Sequence, residues 1–197
     1  MESSHRTAPD IAGASPTAGC VSNRYMSVML DVKDVDSLDF SWTVKIIDGK
    51  TGAEKVIATG EREIVNQTVA TLKTSDYPYG IYTVLVEAVD GAGNRSEKSV
   101  TFTFDTTGPE VNVAPVGDVL LSGTDITFAT EAVDATSSVQ QRFLRVNGVY
   151  VTLDVNGRGN YMFDGPGVYE VEFTARDAAG NTSVKTIAVT VGQGTDT

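Results

Sequence analysis

The chain has 197 residues, 41% of them hydrophobic, which suits one large or two ordinary domains with packed cores and excludes a wholly disordered chain. Its net charge of −11 is shared along the length, with 10 basic against 15 acidic residues through Asp105 and 5 against 11 after it. Both halves repel phosphate backbones and anionic lipid surfaces, and no apolar run approaches the roughly 20 residues of a membrane helix, so neither nucleic acid nor membrane insertion is expected.

The N-terminal stretch from Met1 to Gly19 is polar, with scattered Pro and Gly, and lacks the apolar region of a signal peptide. Export is therefore expected either to be directed by a segment outside this sequence or not to occur by that route. Cys20 and His5 are the sole residues of their kinds. An intrachain disulfide and a Cys/His zinc site are excluded by count. His5, in that polar segment, is the only imidazole on offer to a Ser-His-Asp or Cys-His catalyst, which needs a rigidly oriented base. No catalytic residue is expected, and the chain reads as non-enzymatic.

Strand signals follow in order. Val28–Val32 is a short apolar run, and Asp31, Asp34, Asp36 and Asp39 are expected in the loop behind it. Phe40, Trp42, Val44 and Ile46 alternate with Ser41, Thr43 and Lys45, the period of two of a half-buried strand, with Trp42 at mid-core. The long stretch from Asp48 to Gly60 opens on the turn pair Asp48-Gly49. Tyr82, Val84, Val86 and Ala88 alternate again, and Val100, Phe102 and Phe104 form the next strand. Beyond Pro109 the turn pairs Asn147-Gly148, Asn156-Gly157 and Gly165-Pro166 separate further short segments. The chain closes on Tyr169, Val171, Phe173 and Ala175, then Ile187, Val189 and Val191. No helical stripe of ten residues stands out.

The pattern repeats. Gly80-Ile81-Tyr82-Thr83-Val84 returns as Gly167-Val168-Tyr169-Glu170-Val171, and Asp90-Gly91-Ala92-Gly93-Asn94 returns as Asp177-Ala178-Ala179-Gly180-Asn181, both 87 residues on. Thr7-Ala8-Pro9-Asp10-Ile11 returns as Thr107-Gly108-Pro109-Glu110-Val111, 100 residues on. The first copy is thus longer in its middle, with the excess expected in 48–60. Short strands with regular turns predict an all-β chain of two tandem immunoglobulin-like antiparallel β-sandwiches, residues 7–106 and 107–197, behind a six-residue extension, 1–6. Within each copy, Tyr82 and Tyr169 suit a tyrosine corner, Gly93 and Gly180 a turn with positive φ, and Asp90 and Asp177 an Asx turn.

Gly-x-Tyr-x-Val followed by Asp-x-Ala-Gly-Asn resembles the bacterial immunoglobulin-like repeats of large surface adhesins, and Asp105-Thr106-Thr107-Gly108-Pro109 is similar to the joints between such repeats. The resemblance implies a non-catalytic segment that acts as spacer and binding surface. It places the chain outside the cell or on its surface, within a longer exported protein. Related domains on phage virions leave open an accessory protein decorating capsid or tail, on the virion surface. A third reading is an accessory carbohydrate-binding module, for which Tyr77, Tyr79 and Tyr150 are the candidate exposed aromatics. The expected partner is a protein or glycan surface, or the neighbouring subunits of a larger assembly.

Sandwich topology puts Asp134 on the second copy's B–C loop and Asp177 on its F–G loop, with Asp105 arriving on the linker. These three carboxylates are the candidate metal ligands, and the ion they suit is Ca²⁺, which takes six to eight oxygens and so also draws on carbonyls and water.

Overall fold

Alternation along each strand decides which face is buried. In the computed structural model, which describes residues 7–194, strand β4 (Phe40–Asp48) buries Phe40, Trp42, Val44 and Ile46 and turns Ser41, Thr43 and Lys45 outward. β7 (Gly80–Asp90) does the same with Tyr82, Val84, Val86 and Ala88. The chain divides into two units, Met1–Thr106 and Thr107–Thr197, each with its own core. The extension 1–6, with His5, and the closing Thr195-Asp196-Thr197 lie outside the described residues.

In the first unit, β1 (Asp10–Ala14), β3 (Tyr25–Lys33) and β6 (Ile64–Lys73) form one sheet in the order β1-β3-β6. The facing sheet runs β2-β8-β7-β4-β5, adding β2 (Val21–Ser22), β5 (Glu54–Glu61) and β8 (Arg95–Phe104). All pairings are antiparallel except β2 with β8, which is parallel. Val28, Leu30 and Val32 from one sheet meet Val44, Val84, Val86, Phe102 and Phe104 from the other in one core. Each such large side chain contributes roughly 1.5–3 kcal/mol by leaving water.

The second unit repeats this plan. One sheet holds β9 (Glu110–Pro115), β10 (Asp125–Val133) and β13 (Arg158–Met162) in the order β13-β10-β9. The other is ordered β12-β11-β14-β15, from β11 (Val139–Val146), β12 (Val149–Val151), β14 (Gly167–Asp177) and β15 (Thr182–Val191). Phe128, Leu144, Phe163, Val171 and Phe173 fill the centre. Each unit is therefore an immunoglobulin-like sandwich, two antiparallel sheets packed over a core of inward-facing residues. The extra length of the first copy lies in its middle strands, where β5 has eight residues against three in β12, and β6 has ten against five in β13.

Both tyrosine corners are present. The Tyr82 hydroxyl donates to the Pro78 carbonyl at 2.8 Å and the Tyr169 hydroxyl to the Gly165 carbonyl at 2.8 Å, each four residues upstream. Burial, with the nearby Asp48 carboxylate second, pushes the Tyr82 phenol above its ordinary pKa. Asp31 corrects one sequence expectation: it lies within β3, opposite Gly13, rather than in the following loop. Tyr77 corrects another, since it is half-buried and meets Tyr82 edge-on at 5.8 Å. Tyr79 and Tyr150 are exposed, at 52% and 62%.

Candidate functional site

The loops following β10 and β14 in the second unit are built by their own carboxylates. Asp134 comes directly after β10, and its Oδ1 accepts the N–H groups of Thr136 and Ser137 at 2.9 and 2.7 Å. Asp177 ends β14 and is buried. Its Oδ1 accepts the N–H groups of Gly180 and Asn181 at 2.7 and 2.8 Å, and its Oδ2 accepts the Asn181 side-chain amide at 2.8 Å. Gly180 takes φ +96° to close the turn, a conformation that L side chains resist. The two loops bring the carboxylate oxygens of Asp134 and Asp177 within 4.8 Å of one another. Asn181 Nδ2 also donates to the Thr107 carbonyl at 2.9 Å, which ties the start of this unit to the same turn.

The first unit repeats the construction. Asp34 Oδ1 accepts from the N–H groups of Asp36 and Ser37, and Asp90 accepts from those of Ala92 and Asn94 and from the Asn94 amide. The Asn94 amide foremost, with those backbone donors, holds the Asp90 carboxyl below its ordinary range against the opposing effect of burial. Among the described residues, no three of Asp31, Asp34, Asp36 and Asp39 converge. Asp105, directly after β8, is buried, and its N–H donates to the Ser22 carbonyl at 3.0 Å.

These donors are hard oxygens, the kind that suits Ca²⁺ rather than a soft metal. The Oδ1 atoms that brace the turns already accept two backbone N–H groups each, so capacity for a cation lies on the Oδ2 atoms, of which that of Asp177 also accepts the Asn181 amide. Every carboxylate in the pair also has an ordinary structural role in its turn.

A second feature lies just after the first strand of each sandwich. In the first unit, β2 runs parallel to β8, and the Gly19 and Thr103 N–H groups donate to Thr101 and Cys20 carbonyls at 2.8 and 2.9 Å. In the second, Leu121 and Gly192 form a parallel bridge, with Ser122 N–H to the Gly192 carbonyl at 3.0 Å and Gly192 N–H to the Leu120 carbonyl at 2.8 Å. The entering and leaving segments of each unit are thus cross-linked side by side while pointing the same way.

No protein-family model matches the chain, and no curated protein matches it. Among solved structures it is similar to the FN1–FN3 domains of chicken CNTN1, at 16% identity and TM-score 0.46, over 94% of this chain and 66% of that one. It is similar to a tetra-tandem repeat in the extending region of a large adhesion protein, at 21% identity and TM-score 0.33, over 93% of this chain and 48% of that one. It is similar to murine CEACAM1b, at 17% identity and TM-score 0.38, over 94% and 99%. The chain spans about two thirds or less of the first two.

Among the described residues, no helix is long and apolar enough to cross a membrane. The sequence reading missed the parallel clamps, because a two-residue strand such as β2 carries no periodicity. It also missed β13, whose alternation of exposed Arg158 and Asn160 with buried Gly159 is the signal that would have found it.

Proposed function

We propose that the chain is a non-catalytic, load-bearing segment of a surface protein, a spacer that holds a binding surface away from its anchor. The parallel clamp in each unit carries this reading. When two parallel neighbours are pulled from the free end of one and the opposite free end of the other, the force runs along the strands. Every hydrogen bond between them is loaded together in shear. An antiparallel hairpin pulled from its two ends opens one bond at a time. The clamp therefore has a purpose in a protein held under tension, and a freely diffusing binding module gains little from it. Single-molecule pulling tests this with Thr103→Pro, which removes the N–H donated to Cys20. The unfolding force of the first unit is expected to fall out of proportion to its melting temperature. An unchanged force counts against the clamp.

Calcium fits the same role. Asp134 and Asp177 are its ligands in the second unit, and Asp105 is the third. Asp105 precedes Thr107 by two residues in sequence, and the Thr107 carbonyl accepts the side-chain amide of Asn181 in the turn that Asp177 braces. A bound ion would fasten the linker to that turn. An ion that binds only the folded form adds about 2.7 kcal/mol at a hundredfold excess over Kd. Melting of the second unit is expected to rise in Ca²⁺ relative to chelator, and Asp134→Asn to abolish the difference. Identical melting in both buffers would leave Asp134 and Asp177 as turn braces alone and would overturn the calcium site.

A further inference from the structure

Because β12 and β13 are shorter than β5 and β6, the second unit has an open groove beside these strands, with a volume of about 620 Å³. Tyr150, Tyr161, Arg158, Asn160, Thr127 and Asp154 line it. The groove belongs to the second unit alone and stands apart from the load-bearing reading.

Its walls are held in place. Asp154 Oδ1 accepts the N–H groups of Asn156 and Arg158 at 2.8 and 2.9 Å, closing the rim into a tight turn. Gly157 sits in that turn at φ +74°, where a Cβ would lie 2.8 Å from the Thr130 carbonyl oxygen. The Thr130 hydroxyl donates to the Gly157 carbonyl at 2.7 Å. On the groove floor the Thr127 hydroxyl donates to Asn160 Oδ1 at 2.8 Å, which orients the amide and leaves its Nδ2 hydrogens for another acceptor. The exposed Tyr150 ring is fixed by the Arg145 guanidinium, 4.3 Å from its centroid, and by Phe143 at 6.2 Å. A wall fixed before binding loses little freedom when a ligand arrives.

The charge here runs against the rest of the unit. Residues 107–197 carry 5 basic and 11 acidic groups. Three of the five, Arg142, Arg145 and Arg158, line this groove, pack on its Tyr150, or line the adjoining hollow around the Asp154–Gly157 turn. Arg145 is paired with Glu172 at 3.6 Å. Arg158 has no ion pair among the described residues, yet its planar fork matches a carboxylate through two parallel hydrogen bonds.

We propose that this groove binds a carboxylate-bearing saccharide, a uronic or sialic acid residue. Arg158 takes its carboxylate, Asn160 and Tyr161 its hydroxyls, and Tyr150 the apolar face of a sugar ring. A nucleic acid, with one phosphate per residue, is repelled by the surrounding acidic surface. A sugar with an isolated carboxylate meets Arg158, while the Asp154 carboxylate on the same groove is engaged by two backbone N–H groups of its turn.

Isothermal titration calorimetry of the full chain tests this with sialyllactose, a hyaluronan hexasaccharide, neutral cellohexaose and hexaglutamate. One of the two acidic saccharides is expected to bind, and the arm that binds distinguishes sialic from uronic acid. Arg158→Gln is expected to weaken binding about tenfold or more, the scale of losing a charge-assisted hydrogen bond. Tyr150→Ala weakens it too, whereas Lys185→Gln on β15 leaves it unchanged. Melting curves verify that each variant is folded; Arg158→Gln keeps the backbone bond to Asp154. Absence of binding by both acidic saccharides overturns the proposal. So does equal binding of cellohexaose or hexaglutamate, or an Arg158→Gln variant that binds like the parent.

Discussion

Two kinds of side chain decide the local architecture, the corner tyrosines and the turn aspartates. The Tyr82 hydroxyl closes on Pro78 while its ring packs on Phe102 and Phe104 at 5.9 Å each. Tyr82→Phe is expected to cost about 1 kcal/mol for the lost hydrogen bond. Tyr82→Ala is expected to cost about 3–5 kcal/mol for the cavity. Urea unfolding measures both, and equal, negligible losses would show that the corner supports nothing. Asp90 makes stability depend on pH. Its folded-state pKa lies below the ordinary carboxylate value, chiefly through the Asn94 amide. Asp48 is lowered in the same direction, chiefly through the Thr51 N–H. Both groups therefore contribute fully above the unfolded value of about 4, and the contribution fades as pH falls through the depressed folded values. Urea midpoints of the first unit should drop between pH 5 and pH 2.5, and Asp90→Asn should flatten part of that drop. A slope identical to the parent's would contradict the assignment.

At the scale of strands, sequence and structure agree where the period of two runs long enough to read. Trp42 illustrates both the success and its limit. Its alternation with Phe40, Val44 and Ile46 put it in the core, and it is there. What it packs on was not readable, because the partner is a glycine on a neighbouring strand. A Cβ at Gly60 would lie 2.1 Å from Trp42 Cζ2, so β5 closes over the indole only if position 60 is bare. The indole N–H then donates to the Arg62 carbonyl at 3.2 Å. Gly60→Ala is expected to destabilise the first unit by about 1–3 kcal/mol through overpacking. Differential scanning calorimetry would show this as a lower melting temperature, and an unchanged one would mean that the indole moves aside freely. The turn at Asp177 was legible from the repeat, as the counterpart of Asp90, whereas Asp134 was placed only by the topology of a sandwich, just after a strand end. The groove at Arg158 was not, since it arises from what the shortened β12 and β13 leave out.

For the whole molecule, two separately cored sandwiches joined in tandem divide the labour of a spacer. In the proposed role each unit would resist tension by itself, and the groove on the second would offer a surface to a ligand. In the first unit the turn from Asp90 to Asn94 hydrogen-bonds through the Gly91 N–H to the Asp39 carbonyl, at the end of the sandwich where β1 begins. The end of β8 lies at the opposite end. The same clamp can thus be loaded in two ways by moving one handle. Forced unfolding reports the rate of crossing the unfolding barrier, which the loaded bonds set. The decisive measurement is single-molecule pulling of the first unit from its N-terminal side, with the second handle either after Phe104 or at Ala92. With the handle after Phe104 the clamp is sheared, and one cooperative event at high force is expected, releasing chain at about 3.5 Å per residue. With the handle at Ala92 the entering strand peels away bond by bond, and the force is expected to fall severalfold. Equal forces in the two geometries would contradict a load-bearing role.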